Sequence, residues 1–291
     1  MPLTTRRSTR TISSLRLGRQ IQRAILYFLI TGGALLCLFP FYWMIVVATR
    51  PSSEVFSFPP PLVPGSLLVE NVRSLLESIP YVRAYGNSLF YALTATALML
   101  FFDSMAGFAF AKYEFPLRET LFTFLLTTMM IPATVTLIPW FLEMKWFGWI
   151  NSYAALIIPN AVDAFGIFWM RQYTHGAVPN ELLDAARIDG CGDFTMYSRI
   201  ALPIVSPALG ALAILTFLGH WNNLVGPLII MNDPEKFTLT VALRTLVGLR
   251  LTDYGALMAG TVGAVLPILV VYLVGARRFV AGIAAGSLQG V

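Results

Sequence analysis

The sequence predicts an all-α protein that crosses a membrane six times. Three observations carry this. The chain has 291 residues, of which 57% are hydrophobic and only 12% charged, whereas a soluble domain carries about 25% charge. Its mean hydropathy is +0.71. Six nearly uncharged stretches each reach the roughly 20 helical residues that span a bilayer core of about 30 Å.

The first span is expected near Ala24–Thr49. Its apolar run is longer than the roughly 7–15 residues of a signal-peptide core, and no small-residue cleavage site follows before Arg50, so it should remain as a span. Before it, residues 1–23 form a basic N-terminus, with residues 1–20 rich in Arg, Ser and Thr and flexible by composition. The loop over 50–87 carries Pro59, Pro60, Pro61 and Pro64, which exclude regular helix there. Beyond them Val69–Leu76 has the pattern of a short amphipathic helix at the membrane surface.

Span two is expected at Ser88–Ala111, span three at Thr120–Leu142 and span four at Tyr153–Met170. Trp146 and Trp149, between spans three and four, suit the headgroup level. Span five follows at Ala208–Met231 and span six at Gly255–Ala276. The loop between them, Asn232–Tyr254, is long enough to leave the membrane. Pro132, Pro139, Pro159, Pro227 and Pro267 each remove an amide donor from a span and are expected to bend or loosen it. The whole six-span unit thus runs over 24–276, with a tail at 277–291.

Six spans place both termini on one side. Thirteen of the 20 basic residues lie in the N-terminus, the 112–119 and 171–207 loops and the tail, led by Arg6, Arg7, Arg10, Arg16, Arg19 and Arg23. The excess makes that side cytoplasmic. The pI near 9.4 reflects these membrane flanks rather than a nucleic-acid surface, since the basic residues are not interleaved with aromatics. Cys37 and Cys191 fall at different depths, so no disulfide framework is expected.

The 171–207 loop is the most informative segment. It reads ELLDAARIDGCGDFTMYSRIALP from Glu181 to Pro203. Asn180 is placed to cap a helix whose first turn holds Glu181 and Asp184, where the helix dipole favours acids. Leu182, Leu183, Ala185, Ala186 and Ile188 make one side apolar, and the alanines permit close approach of another backbone. Gly190 sits where a left-handed residue stops a helix. Asp193 is placed to cap a second helix, which Pro203 is expected to end. A helix, a glycine hinge and a second helix form a unit suited to a groove on a partner.

The spacing Asp184-Ala185-Ala186, three residues, Gly190, nine residues, Ile200, one residue, Leu202-Pro203 resembles the EAA-x3-G-x9-I-x-LP loop of ABC-importer permeases, with Asp for Glu as the only departure. Phe108–Tyr113 resembles the AFAKY segment of the carbohydrate-uptake class, and Phe165–Phe168 with Arg171-Gln172 resembles the end of its fourth span. Trp221-Asn222-Asn223, Pro227-Leu228 and Thr238-Leu239 resemble its WND…PL…TL stretch, and the tail from Arg277 through Gly282, Gly286 and Gly290 its C-terminus. The likeness covers most of the chain and includes the smaller membrane subunit of the maltose system. It implies a type I ABC-importer permease fold in a bacterial or archaeal cytoplasmic membrane. It implies pairing with a second, homologous permease, the family pattern pointing to a heterodimer. Two cytoplasmic ATPases and an external solute-binding protein would complete the assembly. By the same resemblance Asp184, Ala185, Ala186 and Gly190 would dock in the ATPase, with Glu181, Arg187 and Asp189 on the rim. Because Asp184 is a methylene shorter than Glu, its ion pair with the ATPase would be looser or bridged by water.

Ionisable groups inside spans suggest function by default. Asp103, Asp163 and His220 are the candidates, with Asn160, Asn222 and Asn223 as neutral companions. Asn160 and Asp163 share a helix face if span four is regular, and Trp221 beside amides has the makings of a sugar platform. Two readings stand for Asn160, Asp163, Trp221, Asn222 and Asn223: lining of a solute pathway, or hydrogen bonding between helices. For Asp103 the second reading is preferred.

Other classes fit less well. His175 and His220 are the only histidines, and H-E-x-x-H and G-x-S-x-G are absent, which argues against an enzyme. G-x-x-x-x-G-K-[ST] is also absent, so this chain is expected to bind no cofactor, with ATP and Mg held by a partner. An ion-coupled secondary transporter is the alternative, but paired intramembrane acids and inverted repeats are not evident.

Overall fold

The computed structural model describes residues 9–248 and 252–288. All regular elements among them are helical. Helix α1 runs Thr9–Ala48, a 3-10 turn follows at Ser52–Glu54, and α2 spans Leu68–Ser78. Helix α3 is Tyr81–Lys112, α4 is Arg118–Thr128 and α5 is Ala133–Trp146. Helix α6, Ala154–Ile157, leads through a 3-10 turn at Pro159–Ala161 into α7, Ala164–Ala177. The polar loop holds α8 (Asn180–Ile188), α9 (Asp193–Thr195), a π-helical turn at Met196–Ala201 and α10 (Leu202–Ile204). Then come α11 (Ser206–Trp221), α12 (Val225–Ile230), a 3-10 turn at Pro234–Lys236, α13 (Leu239–Thr245) and α14 (Tyr254–Leu288).

Five stretches are long and apolar enough to cross a membrane: Gln20–Ala48, Tyr81–Lys112, Ala154–Ala177, Ser206–Ile230 and Tyr254–Gly275. The expected third span is different. Helices α4 and α5 meet at 98° rather than forming one straight rod. Pro132, φ −61° and ψ 131°, is extended, and a proline there leaves no N–H to continue the ladder of α4. The hydroxyls of Thr127 and Thr128 bond back to the carbonyls of Thr123 and Leu125 near the break. Not every proline acts this way. Pro139 and Pro267 lie inside continuous helices, Pro132 and Pro159 coincide with breaks, and Pro227 follows the break between α11 and α12.

Two further expectations change. Helix α1 already begins at Thr9, so most of the supposedly flexible 1–20 segment is helical; residues 1–8 lie outside the described residues. Helix α14 continues through Arg277 to Leu288 without a break between span and tail, and Gly290 lies outside the described residues. The 232–254 loop, expected to be long enough to leave the membrane, folds back on the bundle: Leu239, Val241, Ala242 and Leu243 of α13 are buried, because α13 packs on α3 and α14. The short amphipathic helix forms as α2, but Asn71 and Leu75 anchor one side of it in the protein while Leu68, Val69, Val72 and Leu76 stay exposed.

Helix α3 is the centre of the bundle, packing along α7 and α11. Gly107 allows the tightest part of that crossing, since a methyl group there would lie 2.6 Å from the Met170 Cβ. Helix α1 is held chiefly at its C-terminal end, where Val46, Val47 and Ala48 are buried, while its apolar residues from Ile21 to Phe41 are exposed.

Candidate functional site

The polar loop is built as two short helices pinned to the end of α3. Pro179, rather than Asn180, occupies the N-cap position of α8 with an extended backbone. Asn180 is the first helical residue, and its side-chain oxygen accepts from Lys112 Nζ at 2.9 Å. Glu181 lies in the first turn as expected, whereas Asp184 lies beyond it and pairs with Arg187 at 2.9 Å. Gly190 has φ +80° and ends the helix, as its position predicted. The second segment differs. Gly192 is its N-cap, while Asp193 accepts from Tyr113 Oη at 2.9 Å. Pro203 does not terminate the segment, which passes through Leu202–Ile204 and nearly joins α11.

The apolar side of α8 is divided. Leu183 and Ala186 are buried against a cluster that includes Phe108, Met170, Val178, Met196 and Tyr197. Leu182 and Ile188 are exposed, Ile188 by 87%. Ala186 therefore faces the protein's own core, and its small side chain serves the approach of α8 to this chain, which corrects its expected place on the docking surface. Glu181, Asp184, Ala185, Arg187, Asp189 and Gly190 are all exposed. Phe194, past the hinge, is exposed as well. The loop thus presents carboxylates beside uncovered apolar side chains.

Burial and the Asp193 carboxylate push the Tyr113 phenol up to about 12. It stays a hydrogen-bond donor at neutral pH. Arg187 lies 5.7 Å from the centre of the Tyr113 ring.

The intramembrane candidates fall into two hydrogen-bonded groups, Asp103 with Asp163 and Asn223 with Tyr91 and His220. Span four is interrupted between Asn160 and Asp163, so they do not share a helix face. Asn160 sits in the 3-10 turn and donates to Leu156 O at 2.8 Å. Asp163 caps α7, accepting from the N–H groups of Phe165 and Gly166 at 3.0 and 3.2 Å. Asp103 is fully buried, and its Oδ1 accepts from the Asp163 N–H at 3.0 Å. That is the interhelical role preferred for it, exercised through another element and not through its own helix face. A methyl group at Gly166 would overlap the Asp103 carboxylate, so this glycine is what allows the acid to reach the break.

Trp221 is not a platform for solute. It is 3% exposed, lies stacked on Phe217 and meets Tyr85 edge-on. Its indole N–H donates to Ala264 O at 3.0 Å. Asn223 donates to Tyr91 Oη at 3.1 Å and accepts from the Gly226 N–H, and Tyr91 Oη lies 3.4 Å from His220 Nδ1. Asn222 is the exposed member of the pair and donates to Leu218 O.

Sequence reasoning gave no role to Lys112 or Tyr113 beyond a likeness of segment. The available signal was their place: a cation and a phenol directly at the end of a span on the side of the polar loop.

The family described as "Binding-protein-dependent transport system inner membrane component" matches residues 103–281. The arabinooligosaccharides transport system permease protein of Halalkalibacterium halodurans is 36% identical over 273 residues, covering 91% of this chain and 98% of that protein. The lactose transport system permease protein of Rhizobium radiobacter is 32% identical, with 94% and 98% covered. The sn-glycerol-3-phosphate transport system permease protein of Escherichia coli is also 32% identical, with 86% and 92% covered. Among solved structures, a chain of a bacterial ABC transporter that imports the acidic polysaccharide alginate superposes with a TM-score of 0.79, at 22% identity over 96% of this chain and 100% of that one.

Proposed function

This chain belongs to the family of binding-protein-dependent transport system inner membrane components, the permease subunits of ABC importers, and from that premise we propose that its cargo is an oligosaccharide or a similarly polar polyol or glycerol phosphate. Support comes from the relatives named for arabinooligosaccharides, lactose and sn-glycerol 3-phosphate. The ion-coupled alternative is set aside, because the family and these relatives belong to the ABC class.

The loop around Gly190 is the element through which ATP drives this chain. The observation that carries the reading is the divided face of α8: Leu183 and Ala186 hold the helix to its own bundle, while Glu181, Leu182, Asp184, Ala185 and Ile188 are left open. A short exposed helix of mixed acidic and apolar character fits a groove in a partner. Two cytoplasmic ATPase subunits supply that groove and the bound ATP and Mg; a second, homologous permease completes the pore, and an external binding protein delivers cargo. The arginine-rich N-terminus, the Gly190 loop and the C-terminal tail face the cytoplasm, following the positive-inside distribution. ATP binding closes the ATPases, and α8 is displaced as a rigid lever that changes which side the cavity opens to.

Asn160, Asp163, Asn222 and Asn223 are this chain's pathway-lining groups for solute; Trp221 is removed from that set by its burial. Uptake of labelled arabino-oligosaccharide, lactose and glycerol 3-phosphate by cells with and without this chain tests the cargo class. Uptake lost on collapse of the proton gradient, with ATP maintained, would overturn the energy source. Asp184→Arg reverses the charge in the middle of the exposed face, and uptake should fall to background while the protein remains inserted. Undiminished uptake by that variant would overturn the docking role.

A further inference from the structure

We infer that Lys112 and Tyr113, consecutive residues at the end of α3, are positioning residues that clamp the two halves of the polar loop on either side of Gly190. Lys112 Nζ donates to Val178 O at 2.5 Å, to Asn180 Oδ1 at 2.9 Å and to His175 O at 3.5 Å. One ammonium group therefore joins the carbonyl-rich C-terminal end of α7, where a cation is favoured, to the first residue of α8. Tyr113 Oη donates to Asp193 Oδ1 at 2.9 Å, at the start of the second segment. A third tie lies one helical stretch earlier, where Ser104 Oγ and Tyr197 Oη are 2.7 Å apart and both residues are buried.

The arrangement is asymmetric about the hinge. Between the two grips the chain turns through Gly190, where a Cβ would meet nothing within 4 Å. The two halves of the loop meet through Leu183 and Ala186 on Met196 and Tyr197, and α3 adds a polar grip on each half from outside. Helix α3 is stiff at this point because Gly107 brings it against Met170 and Arg171 of α7. A displacement of α8 is then passed to α3, the central helix of the bundle, as well as along the chain through α7. This assignment rests on the reading of the loop as the ATPase-docking element. It adds the residues that turn docking into movement of the spans.

The test uses the full-length chain with Cys37 and Cys191 replaced by serine and a nitroxide attached at Ile188→Cys, reconstituted in lipid bilayers. Lys112→Met should raise the population with α8 released roughly tenfold, read as growth of the mobile component of the label's spectrum, the change expected when a charge-assisted grip is lost, and Lys112→Arg should reverse it. Tyr113→Phe should free a label at Phe194→Cys while leaving the Ile188 label as it was. In cells carrying the assembled transporter, Lys112→Met should reduce uptake by roughly tenfold with ATP hydrolysis retained, and Lys112→Arg should recover uptake. An Ile188 label as immobile in Lys112→Met as in the parent, or loss of hydrolysis together with uptake, overturns the clamp. Normal uptake by Asp184→Arg would overturn docking alone, since the label mobility reports the clamp without the ATPase.

Discussion

The two ends of α3 sit in opposite kinds of surroundings. Near Tyr81, the loops are closed by the protein's own side chains. Asp253 accepts from the hydroxyls of Ser52 and Ser74, each at 2.8 Å, and from the Ala256 N–H at 3.0 Å. The buried Asn71 amide donates to Ala48 O and Arg50 O, finishing the end of α1, and Tyr81 Oη donates to Gly260 O. Near Lys112, by contrast, the backbone is gripped but the outward faces are left open, with Ile188 and Phe194 exposed beside Asp184 and Asp189. At the first end the polar groups of the loops are satisfied within the chain, while Phe58, Val69 and Val82 remain exposed beside them. The other has the composition of a surface that something else completes.

Substitutions should separate the two ends. The largest loss of stability is expected from Trp221→Ala, in the core that also holds Leu75, Leu239 and Ala256. It should cost about 3 kcal/mol through lost packing and an unfilled cavity, read as a lower unfolding temperature in detergent. Asp253→Ala should follow at about 2 kcal/mol, because two hydroxyls and an N–H lose a charged acceptor. Its pH dependence has a definite sign. Burial raises the Asp253 pKa, but the bonds from Ala256, Ser74, Ser52 and Gly255 outweigh burial and hold it below the usual carboxylate value. Its contribution is therefore present above the unfolded pKa of about 4 and is lost only as pH falls through the lower folded value. Thermal unfolding followed from pH 7 to strong acid should show this step in the parent and not in Asp253→Ala.

At the other end the effects on stability shrink while those on transport grow. Gly190→Ala forces a side chain into φ +80° and should cost about 1 kcal/mol. Ile188→Ser, at an exposed position, should change stability by less than about 0.5 kcal/mol yet reduce uptake. If Ile188→Ser instead lowered the unfolding temperature as much as Trp221→Ala, the contrast between the two ends would be wrong.

Much of this was legible in the chain. Hydropathy gave the membrane class and the approximate spans, because lipid requires long apolar runs whose backbone groups are satisfied within the protein. The spacing from Asp184 to Pro203 gave α8, its stop at Gly190 and the family likeness, because helix ends depend on neighbouring residues. Trp221 illustrates the opposite. An aromatic beside two asparagines looks the same in sequence whether its face meets solute or, as here, Phe217 and Tyr85.

The sequence by itself determined the solvent in which this protein folds, five of the six expected spans as long apolar stretches and the hinge of its polar loop, all properties set within a few turns of chain. Only the tertiary structure decided that the bend expected at Pro132 reaches 98°, that Asp163 caps a helix supported by Asp103, and that Ala186 faces inward while Ile188 faces outward. It also decided that Lys112 reaches Asn180, a partner 68 positions away. Each depends on which distant backbone arrives beside a given side chain, and a helical period does not contain that information.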